Sequence, residues 1–115
     1  MEQEKLKKIL RKHKLWLVGM VEGERANLAR ADLTRADLRG ADLDFSCLPL
    51  WCGSLNVHFD DRQLYQIAYH LVRAGLYSKN ASKETKDELS KLIDFANKFH
   101  RVEECGEIKL EEMMK

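Results

Sequence analysis

The chain has 115 residues, of which 44% are hydrophobic and 34% charged, and its formal net charge is +1. This length and apolar content suit one folded domain and exclude a wholly disordered chain. The near balance of charge excludes an overall strongly acidic surface that imitates nucleic acid and an overall strongly basic one that binds it. The odd number of cysteines, three, argues against a disulfide framework, so we expect reduced thiols and a cytoplasmic location.

The first predicted element is an amphipathic helix over residues 3–18. Four aliphatic side chains and one histidine recur along one face at spacings of three and four, at Leu6, Ile9, Leu10, His13 and Leu17. Residues 1–20 also carry six Lys or Arg against two Glu. We expect the apolar face to close one end of the element that follows. Nucleic acid or anionic lipid are alternative partners for the basic face.

The next segment, residues 25–49, repeats every five residues. Leucine occupies every fifth position without exception, at Leu28, Leu33, Leu38, Leu43 and Leu48. A small residue stands two positions before each leucine, at Ala26, Ala31, Ala36, Ala41 and Ser46. A period of five fits neither an α-helix nor a flat strand, so the segment is predicted to form a repeat architecture of its own.

This segment resembles the pentapeptide-repeat family, whose motif is Ala-(Asp/Asn)-Leu followed by two variable residues. The resemblance implies an α+β fold with a short, right-handed quadrilateral β-helix, in which four pentapeptides make one coil and stacked residues lie twenty apart. We predict this β-helix, with a degenerate continuation after Pro49, over residues 25–59. One coil alone buries too little surface to be stable, so we expect one capping helix before it and two after it.

The C-terminal half is predicted to be helical over residues 60–100. A helix begins at Asp60 or Asp61 and ends at Gly75, and Ser82 is the N-cap of a second helix. Residues 101–115 form a charged tail with weak periodicity, which we expect to fray. All of these parts are assigned to a single domain, residues 1–115.

Two kinds of chemical site were weighed. Tetrahedral zinc binds three thiolates and one imidazole, a set that the chain could supply as Cys47, Cys52, His100 and Cys105. The spacing is wider than in common zinc motifs, and free cysteine is often a small core residue, so we expect no metal and no cofactor, with a zinc-stabilised structural protein as an alternative. Cys–His catalysis lacks any recognisable local motif, and we expect no enzymatic activity.

The candidate partner-binding residues are charged side chains of the repeat together with one tryptophan: Arg30, Asp32, Arg35, Asp37, Arg39, Asp42, Asp44 and Trp51. The simpler interpretation of the charged set is a solvated surface of weak ion pairs. In several pentapeptide-repeat proteins an acidic version of this surface imitates duplex DNA. Here the arginines nearly cancel the carboxylates, which argues against that role.

The chain also resembles small proteins of bacteriophages and mobile elements, through the sequence His-Lys-Leu-Trp-Leu at 13–17 and the segment 46–53 after a brief repeat. This resemblance implies a non-enzymatic module that binds a host protein inside a bacterial cell. An anti-CRISPR-like inhibitor of a defence or nucleic-acid-processing enzyme, acting by occlusion, is the leading hypothesis. Nucleic-acid binding through the basic helix is the alternative. We expect no membrane partner, and both monomer and dimer remain open.

Overall fold

A computed structural model describes residues 1–110 of the chain. The chain divides into two compact units, Met1–Asp60 and Asp61–Lys115. Each unit has a hydrophobic core of its own. The assignment of the whole chain to a single domain stays a prediction.

The first unit begins with helix α1, Gln3–Leu17, within one residue of the predicted bounds. Leu6 and His13 lie seven residues apart on the same face of α1, and both are fully buried. Ile9 and Leu10 pack against the same core. The apolar face read from the sequence is therefore the face that α1 buries.

The remainder of the first unit is a winding coil of turns, and the predicted α+β fold is wrong. Within residues 1–110 there is no β-strand; the β-type pairing described there is one isolated parallel bridge between Asp37 and His58. The quadrilateral β-helix predicted over residues 25–59 is therefore not what the chain forms.

A hydrogen-bonded turn in each repeat explains why strands do not develop. The carbonyl of a repeat leucine accepts a hydrogen bond from the N–H three residues later in four successive repeats, at 3.1, 2.8, 3.0 and 3.1 Å for Leu28–Ala31, Leu33–Ala36, Leu38–Ala41 and Leu43–Ser46. A turn in every five residues leaves short extended pieces, whereas a strand needs a run of residues paired with a neighbour.

Backbone segments twenty residues apart are nevertheless joined by hydrogen bonds. Leu33 N donates to Gly53 O (2.7 Å), and Arg35 N donates to Leu55 O (3.2 Å). His58 completes the set, because its carbonyl accepts from Leu38 N and its N–H donates to Ala36 O. Leu28, Leu33 and Leu38 are buried in one cluster with Leu6. The side chains that pack against this cluster include Leu48, Val57 and Phe59. A short 3₁₀ helix, Cys52–Ser54, lies in the second segment.

The second unit contains four helical segments within residues 61–110, where two were predicted: α2 (Asp61–Tyr77), α3 (Lys83–Ser90), α4 (Ile93–Ala96) and α5 (Val102–Cys105). Ser82 is the N-cap of α3, and its side chain accepts a hydrogen bond from Thr85 N at 3.1 Å, as predicted. The second predicted helix is divided between α3 and α4. The core consists of Tyr69, Val72, Leu76, Ala96, Phe99 and Ile108.

Gly75 does not end α2, contrary to the prediction. The helix continues to Tyr77. A Cβ atom at Gly75 would lie 2.1 Å from Leu89 Cδ1, so this glycine provides space for the Leu89 side chain to pack on α2. Close packing, and not helix termination, is its role.

The charged tail was predicted to fray over residues 101–115, but its first part, residues 101–110, is folded. Ile108 is buried, and its backbone N–H and C=O both bond to the side-chain amide of Asn97, at 2.8 and 3.0 Å. Residues 111–115 of that tail lie outside the described residues. No helix within 1–110 combines the length and the apolar character needed to cross a membrane.

Candidate partner-binding surface

The second residue of each repeat has a structural role that the sequence interpretation missed. Its Oδ1 accepts a hydrogen bond from the backbone N–H two residues later, as in an Asx turn, in four successive repeats: Asn27–Ala29, Asp32–Thr34, Asp37–Arg39 and Asp42–Asp44, at 3.1–3.2 Å. An Asp or Asn just before a turn is a sequence signal for this bond. Three predicted partner-binding carboxylates, Asp32, Asp37 and Asp42, therefore also shape the backbone.

Asp37 and Arg39 form a bidentate ion pair on this surface. Arg39 Nε donates to Asp37 Oδ1 at 2.9 Å and Nη2 donates to Oδ2 at 3.0 Å. The side-chain hydrogen bonds from Arg39, followed by its backbone N–H, lower the pKa of Asp37 to about 2. The same pair raises the pKa of Arg39. Both groups are thus charged at neutral pH, on an exposed surface where solvent weakens the pair.

Asp32 is held by a different partner. Its Oδ1 accepts hydrogen bonds from the Thr34 hydroxyl at 2.7 Å and from the Thr34 backbone N–H. The hydroxyl, as the larger cause, lowers the pKa of Asp32. The backbone carbonyl of Asp32 also accepts from the amino group of Met1. This carboxylate is therefore fixed in direction as well as ionised.

The predicted partner-binding residues differ in exposure. Five are exposed: Arg30, Asp32, Arg35, Arg39 and Trp51. Three are half-buried: Asp37, Asp42 and Asp44. Hydrogen bonds join the segment that contains Arg35 to the segment that contains Trp51, since Trp51 Nε1 donates to Ala31 O and Arg35 N donates to Leu55 O. The others are distributed over further turns.

Trp51 and two further exposed apolar side chains lie in one short segment. Leu50, Trp51 and Leu55 are 96, 51 and 56% exposed, and we call them the Trp51 strip. The Trp51 indole is fixed in place: Nε1 bonds to Ala31 O at 3.2 Å, and a Cβ atom at Gly53 would lie 2.3 Å from Cζ2 of the ring. Gly53 therefore lets the ring lie directly on the backbone, so an exposed aromatic side chain is held in one position.

Helix α1 satisfies backbone groups at one end of the coil with polar side chains. The Gln3 amide bonds to both the N–H and the C=O of Asp37, at 3.2 and 3.1 Å. Ala26 N donates to His13 Nδ1 at 3.1 Å, so the imidazole proton is on Nε2, which donates to Asp44 O at 2.8 Å. Sequence reasoning placed His13 on the buried face but missed Gln3 and both pairings.

The cysteines and histidine of the considered zinc set are not gathered into a site. Cys47, Cys52 and Cys105 are free and exposed, and the Cys47 thiol bonds to Asn27 Oδ1 at 3.0 Å. His100 contacts the ring of Phe99. Among the side chains of residues 1–110, no three from His, Cys, Asp and Glu are placed to hold a metal ion together.

Comparison with known proteins adds one result. Residues 24–49 match the family model described as "Pentapeptide repeats (8 copies)". The match lies within the first unit and covers the turns with the buried leucines. The chain matches no curated protein and no solved structure.

Proposed function

We propose that this chain, whose residues 24–49 match the pentapeptide-repeat family model, is a non-enzymatic module that binds a protein partner. Proteins with such repeats generally have structural or binding roles. The observation that carries the proposal is the Trp51 strip, an exposed group of one aromatic and two aliphatic side chains in which the indole is held in one position. Exposed tryptophan is strongly enriched among residues that dominate binding energy.

The position of the Trp51 ring favours tight binding. A side chain that is ordered before binding loses little conformational entropy when the complex forms. The hydrogen bond to Ala31 and the contact over Gly53 supply that order. The strip therefore offers a preformed apolar centre to a partner.

Charged residues next to the strip supply a polar rim. Arg35 is bonded through its backbone to Leu55, and Asp32 follows Ala31, on which Trp51 rests. Rim charges set orientation and association rate more than affinity. Because Asp32 is held by Thr34, its charge is presented in a fixed direction.

At a finer level, we place the partner among bacterial host enzymes of defence or nucleic-acid processing. The support is the resemblance of the chain to small phage proteins, together with a rigid repeat surface suited to covering an enzyme's binding groove. Inhibition by occlusion needs no catalytic group on the inhibitor. The site of action would then be the cytoplasm of the host cell.

The test is capture of a partner by the full-length tagged chain from nuclease-treated bacterial lysate at moderate salt. Trp51→Ala is compared with Tyr77→Ala, a matched control that removes an exposed aromatic from the second unit. We expect Trp51→Ala to weaken binding of the captured protein by roughly 30-fold or more, the usual loss at a binding hot spot. The control should bind as the wild type does.

Two results would contradict the proposal. Equal capture by both variants would remove the Trp51 strip as the binding surface. Recovery of nucleic acid alone from untreated lysate, and of nothing from nuclease-treated lysate, would favour the alternative in which the basic residues of α1 bind nucleic acid.

A further inference from the structure

A second exposed apolar surface lies where α1 ends. It consists of the exposed side chains Trp16, Val18, Met20, Val21 and Phe45, which we call the α1 tip. Val21 is 98% and Val18 69% exposed. Contiguous exposed apolar side chains often mark a site of interaction with a protein or a membrane.

The loop of the α1 tip is fixed to the helix and does not depend on a partner for its shape. Met20 N donates to Leu15 O at 2.9 Å, and Glu24 N donates to Lys12 O at 3.0 Å. A Cβ atom at Gly23 would lie 2.2 Å from Trp16 N, so the loop passes directly over the backbone of α1. The apolar tip is therefore preformed.

Phe45 keeps its exposed ring at a conformational cost. Its φ of 63° is in the left-handed region, where Gly40 of the preceding repeat, at φ 80°, has no such penalty. The Phe45 and Trp16 rings pack in a T-shaped arrangement with 6.2 Å between their centroids. The positive φ belongs to the repeat turn, since Arg35 has the same φ of 63° at the same position of its repeat, and this turn leaves the Phe45 ring exposed.

The outward face of α1 joins basic and apolar side chains. Lys8, Arg11, Leu15 and Val18 are spaced three and four apart, so they share one side of the helix. Leu6, buried in the core, lies on the opposite side. Further lysines along α1 are exposed, and residues 1–20 carry a net charge of +4. Positive charge thus lies along the exposed side of α1, while the exposed Glu22 and Glu24 follow the apolar tip.

We propose that α1 binds an anionic membrane surface, lying parallel to it with residues 18–21 and the ring of Phe45 in the boundary between headgroups and acyl chains. Helices that lie in this boundary combine basic residues with exposed aliphatic and aromatic side chains, and they need no membrane-spanning length. Anionic lipid was one of the alternative partners that the sequence offered for the basic face of α1, beside the capping role that was preferred, and surface binding there needs no membrane-spanning segment.

A single-stranded nucleic acid fits the tip less well. Nucleobases stack on free aromatic faces. The Trp16 ring is already stacked with His13 at 5.8 Å, and the Arg25 guanidinium lies over it at 5.6 Å. The most exposed side chains, Val18 and Val21, are aliphatic and suit a hydrocarbon boundary.

The experiment uses the full chain with two kinds of vesicle, one of phosphatidylserine mixed with phosphatidylcholine and one of phosphatidylcholine alone. We expect cosedimentation with the anionic vesicles, weakened by salt, and little with the neutral ones. In a Trp51→Phe background, the emission of Trp16 should shift to shorter wavelength when the anionic vesicles bind. Equal binding to both vesicles without salt dependence would overturn the proposal.

Variants then separate the two contributions. Val18→Ser combined with Val21→Ser should weaken binding to anionic vesicles by roughly ten-fold, through lost apolar burial. Lys8→Gln and Arg11→Gln should each weaken it by about five-fold, the usual contribution of one basic residue near an anionic surface. Leu71→Ser and Lys91→Gln change exposed side chains of the second unit, and these matched controls should bind as the wild type does.

All of these positions are exposed, and far-UV circular dichroism checks that each variant keeps its helices. Wild-type affinity in the Val18→Ser, Val21→Ser variant would overturn the proposal. A single-stranded oligonucleotide that displaces the protein from vesicles, and that binds the Val18→Ser, Val21→Ser variant as tightly as the wild type, would also overturn it. That result would assign the basic residues to nucleic acid.

Discussion

The two units of the chain build their cores by different means. In the first unit, polar side chains determine the backbone: Asx turns shape each repeat, and Gln3 and His13 satisfy the end of the coil. In the second unit, apolar side chains fill a core among helices that bond internally, with Tyr69 and Phe99 at its centre. The first unit therefore depends on polar side chains that bond to its backbone and on small residues. The second depends mainly on close apolar packing, with the Asn97 amide bonded to the backbone of Ile108.

The largest loss of stability is expected from the fully buried leucine and valine side chains, which both units contain. Leu33→Ala should destabilise the first unit by about 2–5 kcal/mol, because the surrounding turns cannot collapse into the space left behind. Hydrogen exchange measured residue by residue should show the loss of protection within residues 1–60. Leu76→Ala is the counterpart and should act within residues 61–110. Loss of protection throughout the chain from either change would show that the two units unfold together.

The second prediction tests polar closure at α1. His13→Phe keeps an aromatic ring but leaves Ala26 N and Asp44 O without their partner, so the first unit should lose about 2–3 kcal/mol. Urea unfolding followed by circular dichroism measures the loss. His100→Phe changes an exposed histidine and should have little effect. If both variants unfold at the same urea concentration as the wild type, polar closure does not stabilise the coil.

The third prediction uses two arginines at the same position of neighbouring repeats. Arg35 has φ 63°, whereas Arg30 is not among the residues with positive φ. Arg35→Gly should raise the free energy of unfolding by roughly 0.5–1 kcal/mol by relieving the left-handed strain. Arg30→Gly should lower it by a similar amount, because glycine only adds freedom to the unfolded chain. The two melting temperatures, compared with the wild type, give the sign, and equal signs would contradict the assigned turn geometry.

Sequence patterns predicted those parts of the molecule that short-range chemistry determines. The bounds of α1, the cap at Ser82 and the burial of the repeat leucines follow from periodicity and capping rules. The division between α3 and α4 did not follow, because the apolar spacing continues through Leu89, Leu92 and Ile93 without a Gly or Pro. Gly75 was misread since a glycine that ends a helix and one that accepts a neighbouring side chain look the same in sequence.

The predicted strands failed for a different reason. The five-residue period specifies a turn in each repeat and an inward leucine, and both are present. Strands depend in addition on a continuous neighbouring segment, and the repeat is only long enough for residues 33–38 to pair with 53–58. Of the candidate site, the sequence named Trp51 as a partner-binding residue but gave no sign of the contact over Gly53 that holds its ring. The Asp or Asn of the repeat motif indicates the turn-forming role of Asp32, Asp37 and Asp42, which the sequence interpretation treated only as partner-binding residues.

The smallest effect concerns charge on the repeat surface, and it separates the two roles of Asp37. Asp37→Asn keeps an oxygen that can accept from Arg39 N, as Asn27 does from Ala29 N, but removes the ion pair with the Arg39 side chain. The pKa of Asp37 is lowered to about 2 in the folded protein, so the ionised carboxylate favours folding. This contribution is fully present above the ordinary pKa of 3.8 and is lost as the pH falls towards 2.

Thermal unfolding of the wild type and of Asp37→Asn, measured between pH 6 and pH 2, should therefore show a small difference that disappears towards the acid end. High salt should reduce the difference at pH 6, because the pair is exposed and screened. If the variant is instead strongly destabilised at every pH, the Asx turn at residue 37 requires a carboxylate as its acceptor. The negative charge would then be needed for the backbone structure of the first unit. If the difference follows the pH as expected, the Asx turn shapes the repeat, and the ion pair adds only to the surface that it presents.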